Sequence, residues 1–336
     1  MSNVPLSILD LSMVPEGQSS ADALAATTEL AIRAETLGYR RIWVAEHHNM
    51  ATVASTSPAV LMAHLAANTS TIRVGSGGVM LPNHAPLAVA EQFALLESMY
   101  PGRIDLGVGR APGTDRETAY ALRGAVDNRD AEDFPRHLID VMGLLGDRRT
   151  ANGLWDRFRA TPVLESSPTV VPLGSSGFSA QLAGVLGLPF AFAHHFDMGG
   201  TLEAVAIYRE YFEPSPILDA PYTIVTASTI AAETAEAAEW LSGPGRLRRF
   251  GMRRGQMLPL LSPDDAARHP DFEQAIRMPS SSILGTATEV ADGLRSLAER
   301  TDASELMLHT GTHGLAERLT SLTLIAEQWM PATVAT

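Results

Sequence analysis

Cysteine is absent from this chain of 336 residues. Its absence excludes disulfide bonds, thiolate metal sites, iron–sulfur clusters and a cysteine nucleophile. Charged residues are also scarce at 19%, whereas 45% of the residues are hydrophobic. A chain of this composition buries a large core and is not expected to be disordered or to form a coiled coil. We therefore predict one globular domain over residues 1–336.

An excess of basic residues is missing too, because 25 Lys and Arg face 38 Asp and Glu, for a net charge of −13. Proteins that bind nucleic acid hold its phosphates with dense Lys and Arg, so no nucleic-acid partner is expected. No uninterrupted apolar run approaches the roughly 20 residues of a membrane span. The first residues lack the basic and apolar segments of a signal peptide. We expect no membrane association and a cytoplasmic location.

Short strand-like runs alternate with longer amphipathic helical patterns along the whole sequence, which is typical of βαβ units and a parallel sheet. Eight strands in a chain of this length favour a closed (β/α)8 TIM barrel, with an open doubly wound sheet as the alternative. The predicted strands cover residues 6–11, 41–45, 72–79, 104–108, 170–173, 190–193, 222–227 and 305–309.

Two insertions interrupt this alternation, one after strand 4 near 127–168 and one after strand 7 near 241–284. The first contains an extra helical pattern at 134–145. The second carries the run "GRLRRFGMRRG", with five arginines. Long insertions of this kind are either lids over a site or solvated surface loops, and composition favours neither. The arginines are consistent with an anionic substrate, with docking of a reductase or with a solvated loop.

Four unusual segments follow predicted strands: "EHH" at 46–48, "VGSGGVMLPNHAP" at 74–86, "LGVGRAPGTD" at 106–115 and "LGSSGFSA" at 173–180. The loops at the C-terminal ends of barrel strands build the active sites of this fold. We therefore expect these segments to come together in one site.

The glycines do not form a dinucleotide-binding fingerprint, because no G-x-G-x-x-G is completed, so a Rossmann site is disfavoured. Gly77 and Gly78 give a flat ligand access to the backbone, or they form a tight turn.

The "LGSSGFSA" segment lies at the start of a predicted helix, where free N–H groups favour an anion. Any one of its serines is first of all a helix cap. Together, Gly174, Ser175, Ser176 and Ser179 are more typical of a phosphate cup. A serine hydrolase is less favoured, because G-x-S-x-G is not completed.

Adjacent His47 and His48 point to opposite sides of an extended chain, so we predict no metal site there. A histidine beside a carboxylate at a strand end is instead suited to general base catalysis. His194 and His195 repeat the pair after the sixth strand.

Together, "WVAEHHN", "IRVGSGGVMLPNHAPLAVAEQF", "PGRIDLGVGRAPGTD" and "VPLGSSGFSAQLAGVLGLPFAFAHHF" resemble the luciferase-like flavin monooxygenase family, especially its non-luminous bacterial branch. The resemblance covers nearly the whole chain. It implies a TIM-like barrel that binds FMN, usually as a homodimer, with reduced flavin supplied by a separate reductase.

The resemblance also implies roles for single residues. Glu46 and His47 match the acid and the catalytic histidine, from which we expect that Glu46 orients His47 and His47 moves a proton. The Gly77–Gly78 bond matches a non-proline cis peptide behind the flavin ring. The expected flavin-binding residues are Ser76, Gly77, Gly78, Arg110, Gly174, Ser175, Ser176 and Ser179. The expected substrate pocket contains His48, Met80, Phe192, His195 and the second insertion.

Two departures bear on activity. Gly109 and Ser175 stand where luminous members carry a cysteine and a glutamate, so light emission is not expected. The leading hypothesis is an FMN-dependent monooxygenase that uses reduced flavin and molecular oxygen on a small organic substrate. The alternatives are a deazaflavin- or FMN-dependent dehydrogenase that transfers hydride without oxygen, deazaflavin being the less favoured cofactor, and a non-catalytic flavin-binding protein.

Overall fold

Eight parallel strands close into a barrel in the computed structural model, which describes residues 4–111, 113–123, 132–149, 152–196 and 199–330. Strand β10 pairs with both β1 and β8 and thereby closes the ring. The barrel strands are β1 (Leu6–Asp10), β2 (Arg41–Val44), β3 (Arg73–Ser76), β5 (Ile104–Gly109), β6 (Thr169–Gly174), β7 (Phe190–Phe192), β8 (Thr223–Ala231) and β10 (Glu305–His309). Each predicted strand corresponds to one of them, and the predicted TIM barrel is confirmed.

Helices follow the strands and cover the outside of the barrel. They begin where local sequence favours a start: Ser19 and Asp22 form a capping box, as do Thr286 and Glu289. The helices are α1 (Ser20–Thr36), α2 (Pro58–Ala67), α3 (Pro86–Met99), α4 (Arg116–Arg123), α5 (Phe134–Leu144), α6 (Gly177–Val185), α7 (Thr201–Glu210), α8 (Ala235–Arg253), α9 (Pro263–Arg268), α10 (Phe272–Arg277), α11 (Ala287–Thr301) and α12 (Leu315–Trp329). None of these helices has the length and hydropathy needed to cross a lipid bilayer.

The third predicted strand is shorter than expected. It ends at Ser76, and a short strand β4 (Val79–Met80) pairs separately with β5. The peptide bond between Gly77 and Gly78 lies between these two strands and is cis, as the family resemblance implies.

The two insertions lie where they were predicted, between β5 and β6 and after β8. Part of the first, at 127–131 and 150–151, lies outside the described residues, and α5 occupies the predicted extra helix. In the second, the interpretation of the Arg-rich run as a loop is wrong, because α8 contains it through Arg253. Pro244 lies inside that helix, and a short strand β9 (Ile283–Gly285) pairs with β8.

Two hydrophobic layers flank the strands because successive side chains of a strand point to opposite faces. The larger layer lies between the strands and the helices and includes Ile8, Ile42 and Leu306. The smaller one fills the barrel interior and is formed by Leu9, Trp43, Val171, Ala191, Ile224 and Met307.

A buried charge cluster closes the N-terminal end of the barrel. Arg41 donates to Asp105 at 2.8 Å and to Glu305 at 3.0 Å. Glu305 also accepts from Tyr222 at 2.6 Å and from the Ser7 hydroxyl. Glu305 and Asp105 are fully buried, so each depends on these partners for the stability of its charge.

We expect the substitution Glu305→Gln to lower the free energy of unfolding by about 3–5 kcal/mol, because it leaves the Arg41 charge buried with a lost partner. Urea unfolding followed by circular dichroism measures the change. The control is Glu299→Gln, on the exposed face of α11, which should have little effect. Equal stability of the two variants would contradict the assigned role of Glu305.

Candidate functional site

A cavity of about 520 Å³ opens at the C-terminal end of the barrel. Its walls come from the loops after β1 and β2, from the ends of β8 and β10, from the segment after β7 and from α8. This is the end at which the fold places its active sites. Representative lining residues are Leu11, Met13, His47, His195, Arg248 and His309.

Glu46, two residues after β2, is fully buried and accepts three hydrogen bonds. His48 and His84 each place Nε2 2.8 Å from its Oε1, and the Met80 N–H donates to Oε2 at 3.0 Å. Burial by itself raises the pKa of Glu46, but the hydrogen bonds and charge of the histidines and the Met80 N–H lower it by more, so the net pKa lies below the ordinary value. Glu46 is therefore a carboxylate that fixes the loops after β2 and β3.

The expectation that Glu46 orients His47 is wrong. Its hydrogen bonds go to His48, two residues along the chain, and to His84. Alternate residues of an extended segment share a side, so His47 points away from both Glu46 and His48.

His47 is half-buried and faces the cavity. Its backbone N–H donates to Ser55 O at 3.1 Å, which holds the residue in place. Its Nδ1 is buried and has no hydrogen-bond partner among the described residues. Burial lowers the pKa of His47, and the charge of Arg248 lowers it by a smaller amount. The imidazole is therefore neutral at neutral pH and is able to accept a proton.

Two further histidines face the same cavity. The rings of His195, after β7, and His309, at the end of β10, have centroids 5.7 Å apart. Burial lowers the pKa of His309 to about 4, and burial and the neighbouring His309 lower the pKa of His195. Both rings are neutral at neutral pH, so the cavity holds three uncharged imidazoles.

The start of α6 has free donors for an anion. Ser176 occupies the N-cap position, but its side chain makes no capping hydrogen bond, so its hydroxyl is not used as a helix cap. The Arg110 guanidinium lies 4.3 Å from the ring centre of Phe178, in the first turn of α6. Ser179 is buried in the same turn, close to Gly174. Ser175 lies at the mouth of this turn and is half-buried. These residues fit a phosphate group, since they combine a cation, a hydroxyl and helix N–H donors.

Packing explains the glycines after β3 better than ligand access does. A Cβ on Gly77 would lie 2.7 Å from Leu9 Cδ1, and a Cβ on Gly78 would lie 2.8 Å from the Gly107 carbonyl oxygen. The space that a side chain would occupy is already filled by protein. Ser76 is also fully buried and donates from Oγ to Gly107 O at 2.8 Å, so its hydroxyl does not face a ligand as expected.

Of the four residues expected in the substrate pocket, His195 alone lines the cavity within the described part of the chain. His48 is held by Glu46, and Met80 packs against Gly109 and Gly113. Phe192 is buried behind the strand with Phe190, because Ala191 takes the position that faces the barrel interior. The period of two along β7 therefore decides which residue points inward.

Sequence reasoning missed His309 and did not single out Arg248 among the five arginines. His309 ends the predicted eighth strand, which is the signal that would have found it, because strand ends at that face build the site. The signal for Arg248 is the periodicity of α8. This periodicity indicates which arginines share a face only when the segment is known to be a helix.

The lowered pKa values of His195 and His309 predict acid lability. The unfolded chain binds protons at these histidines near pH 6.5, whereas folded His309 binds one only near pH 4, so stability is lost as pH falls between these values. We expect His309→Gln to reduce the loss of unfolding free energy between about pH 7 and about pH 5.

Urea unfolding at the two pH values measures this loss, with His64→Gln, at an exposed position of α2, as the control. A wild-type slope in the His309 variant would contradict a neutral, buried His309.

Comparison with known proteins agrees with this fold. The profile of the luciferase-like monooxygenase family matches residues 4–304. An Escherichia coli K12 protein named luciferase-like monooxygenase is 43% identical over 310 residues, which covers 91% of each chain. The crystal structure of apo-MsnO8 is 35% identical, with a TM-score of 0.87 over 97% of this chain and 98% of that chain.

Two more distant structures carry related cofactors. The oxygenating constituent of 3,6-diketocamphane monooxygenase from Pseudomonas putida, a type II Baeyer-Villiger monooxygenase in complex with FMN, has a TM-score of 0.73 at 18% identity, over 99% and 100% of the two chains. An F420-dependent secondary alcohol dehydrogenase with an F420-acetone adduct has a TM-score of 0.68 at 18% identity, over 98% and 100%. Because the family profile matches residues 4–304 and a relative is 43% identical over 91% of the chain, this chain belongs to the luciferase-like monooxygenase family.

Proposed function

We propose that the protein is an FMN-dependent monooxygenase that uses reduced FMN and molecular oxygen to oxidise a small organic substrate, without emitting light. The observation that carries this proposal is the combination, at one end of the barrel, of a helix start beside Arg110 whose donors suit an anion and a cavity lined by neutral His47. Membership of a monooxygenase family supports it, as does the FMN complex of a protein with the same fold.

The residues fit FMN at its phosphate. Arg110, the Ser176 hydroxyl and the first N–H groups of α6 would hold this group, with Ser179 and Gly174 in the same turn. When bound, reduced FMN supplies the electrons with which oxygen is activated.

His47 holds or accepts a proton at an imidazole nitrogen that faces the cavity. The His47 side chain lines the cavity, and its neutral imidazole is able to accept a proton there. Met13, Val53 and Leu260 pack together at the cavity wall and exclude water from it. Glu46 acts at a distance by holding His48 and His84, which fixes the loop that carries His47.

We further propose that a separate reductase supplies the reduced FMN and that the protein functions as a homodimer in the cytoplasm. The family resemblance of the four segments after the strands supports these assignments. Analytical ultracentrifugation tests the dimer directly.

We expect His47→Gln to reduce turnover by about 100- to 10,000-fold, because a positioned general base contributes this much. Oxygen consumption by the FMN-reduced protein, in the presence of aldehydes, ketones and thioethers, measures turnover. Isotopically labelled dioxygen shows whether its oxygen enters the product. The control is His64→Gln on α2, and an anaerobic FMN titration should give equal affinities for wild type and both variants.

Three results would contradict the proposal. Substrate oxidation with oxidised FMN or F420 in the absence of oxygen would indicate a dehydrogenase. FMN binding without any turnover would indicate a storage protein. Full activity of the His47 variant would remove this residue from the mechanism.

We expect Arg110→Met to raise the dissociation constant for FMN by about 10- to 100-fold, because a charge-assisted hydrogen bond to phosphate is lost. Its affinity for riboflavin, which lacks the phosphate, should not change. Fluorescence titration with both flavins measures this, with the exposed Arg116→Met as the control. An equal loss of affinity for the two flavins would contradict a contact between Arg110 and the phosphate.

A further inference from the structure

The cavity contains a cation, Arg248, that lacks a counter-charge among the described residues. Arg248 extends from α8 into the cavity and is half-buried. Its Nε is buried without a hydrogen-bond partner, and it forms no salt bridge with any described residue. Other arginines of α8 and its end differ in this respect, since Arg246 pairs with Glu239 and Arg254 pairs with Asp271. Burial lowers the pKa of Arg248, which reflects the cost of holding its charge away from water.

No described residue of the cavity wall offers a negative charge. The wall includes four arginines and three histidines but no aspartate or glutamate. His47 and His309, the titratable groups whose pKa values Arg248 lowers, are neutral and add no negative charge. An anion that enters this cavity would therefore meet the charge of Arg248 without a competing carboxylate in the described wall.

Another part of the cavity wall is apolar. Met13, Val53 and Leu260 form a buried cluster there, with Leu11 and Met50 packed against it. A ligand that fills the cavity thus has a charged end near α8 and a hydrocarbon part against the loops after β1 and β2.

We propose that Arg248 binds the anionic head group, a carboxylate or a sulfonate, of a substrate whose remaining part is apolar. The statement that this ligand is a substrate rests on the proposed function. Anion binding itself does not depend on turnover. The FMN phosphate is not the expected partner, because Arg110 and the start of α6 provide a separate set of donors for it. Docking of a reductase does not explain Arg248 either, because its guanidinium faces the cavity.

Octanoate, 1-octanesulfonate and 1-octanol test the proposal, since they share a hydrocarbon chain and differ in the head group. Isothermal titration calorimetry measures their binding to the full-length protein, with and without FMN. We expect octanoate or octanesulfonate to bind wild type at least about tenfold more tightly than octanol, which corresponds to about 1.4 kcal/mol. Arg248→Met should remove this preference, while Arg248→Lys should keep part of it. Arg254→Met, outside the cavity wall, is the control and should bind like wild type.

The comparison of the two acids separates a carboxylate from a sulfonate as the head group. Equal binding of all three compounds, absence of binding of both acids, or equal losses in the Arg248 and Arg254 variants would overturn the proposal. A fall in FMN affinity in Arg248→Met, with octanoate binding intact, would overturn it as well. If the monooxygenase assignment fails, oxygen consumption is absent while the preference for anions persists, so the two failures are distinguishable.

Discussion

The buried contacts of Glu305 underlie the closed barrel. This residue begins β10, the strand that joins the first part of the sheet to the last. It accepts hydrogen bonds from Ser7 on β1, Arg41 on β2 and Tyr222 just before β8. A carboxylate without these partners would be too costly to bury, so the charge is stable only when these strands lie side by side. The charged cluster fills the N-terminal end of the barrel and leaves the opposite end to the cavity.

A second carboxylate organises the cavity end. Glu46 fixes His48 and His84, and through Met80 it connects the loops after β2 and β3. The alternation of side chains along residues 46–48 separates two kinds of histidine. His48 serves the carboxylate, whereas His47 on the other side is exposed to the cavity. One short segment therefore provides both a rigid support and a reactive group.

The electrostatics of the cavity differ from those of the whole chain. The protein carries a net charge of −13, yet the described cavity wall has arginines and neutral histidines and no carboxylate. Burial keeps the histidines neutral, and the charge of Arg248 adds to this effect at His47 and His309. A neutral His47 is suited to accept a proton, and the positive wall is suited to an anion. Arg248 contributes to both properties.

Much of the fold was predictable because it is encoded locally. Hydrophobic runs with polar ends give the strands, amphipathic repeats give helices such as α12, and the alternation of the two gives a parallel sheet. The location of the site was predictable for the same reason, since all barrel strands end at one face. The side on which a residue lies was harder to predict. Phe192 and Ser76 are buried because of strand alternation and packing against neighbouring strands.

The sequence by itself determined the eight strands, the helix starts and the residue types available at the strand ends. The tertiary structure decided which of these residues meet. His47, Arg248 and His309 are far apart along the chain, and only barrel closure and the position of α8 bring them to one cavity. Glu46 is hydrogen-bonded to His84 rather than to His47, because a hydrogen bond requires the correct direction as well as proximity. Local patterns specify elements, whereas contacts, burial and pKa shifts arise from the closed fold.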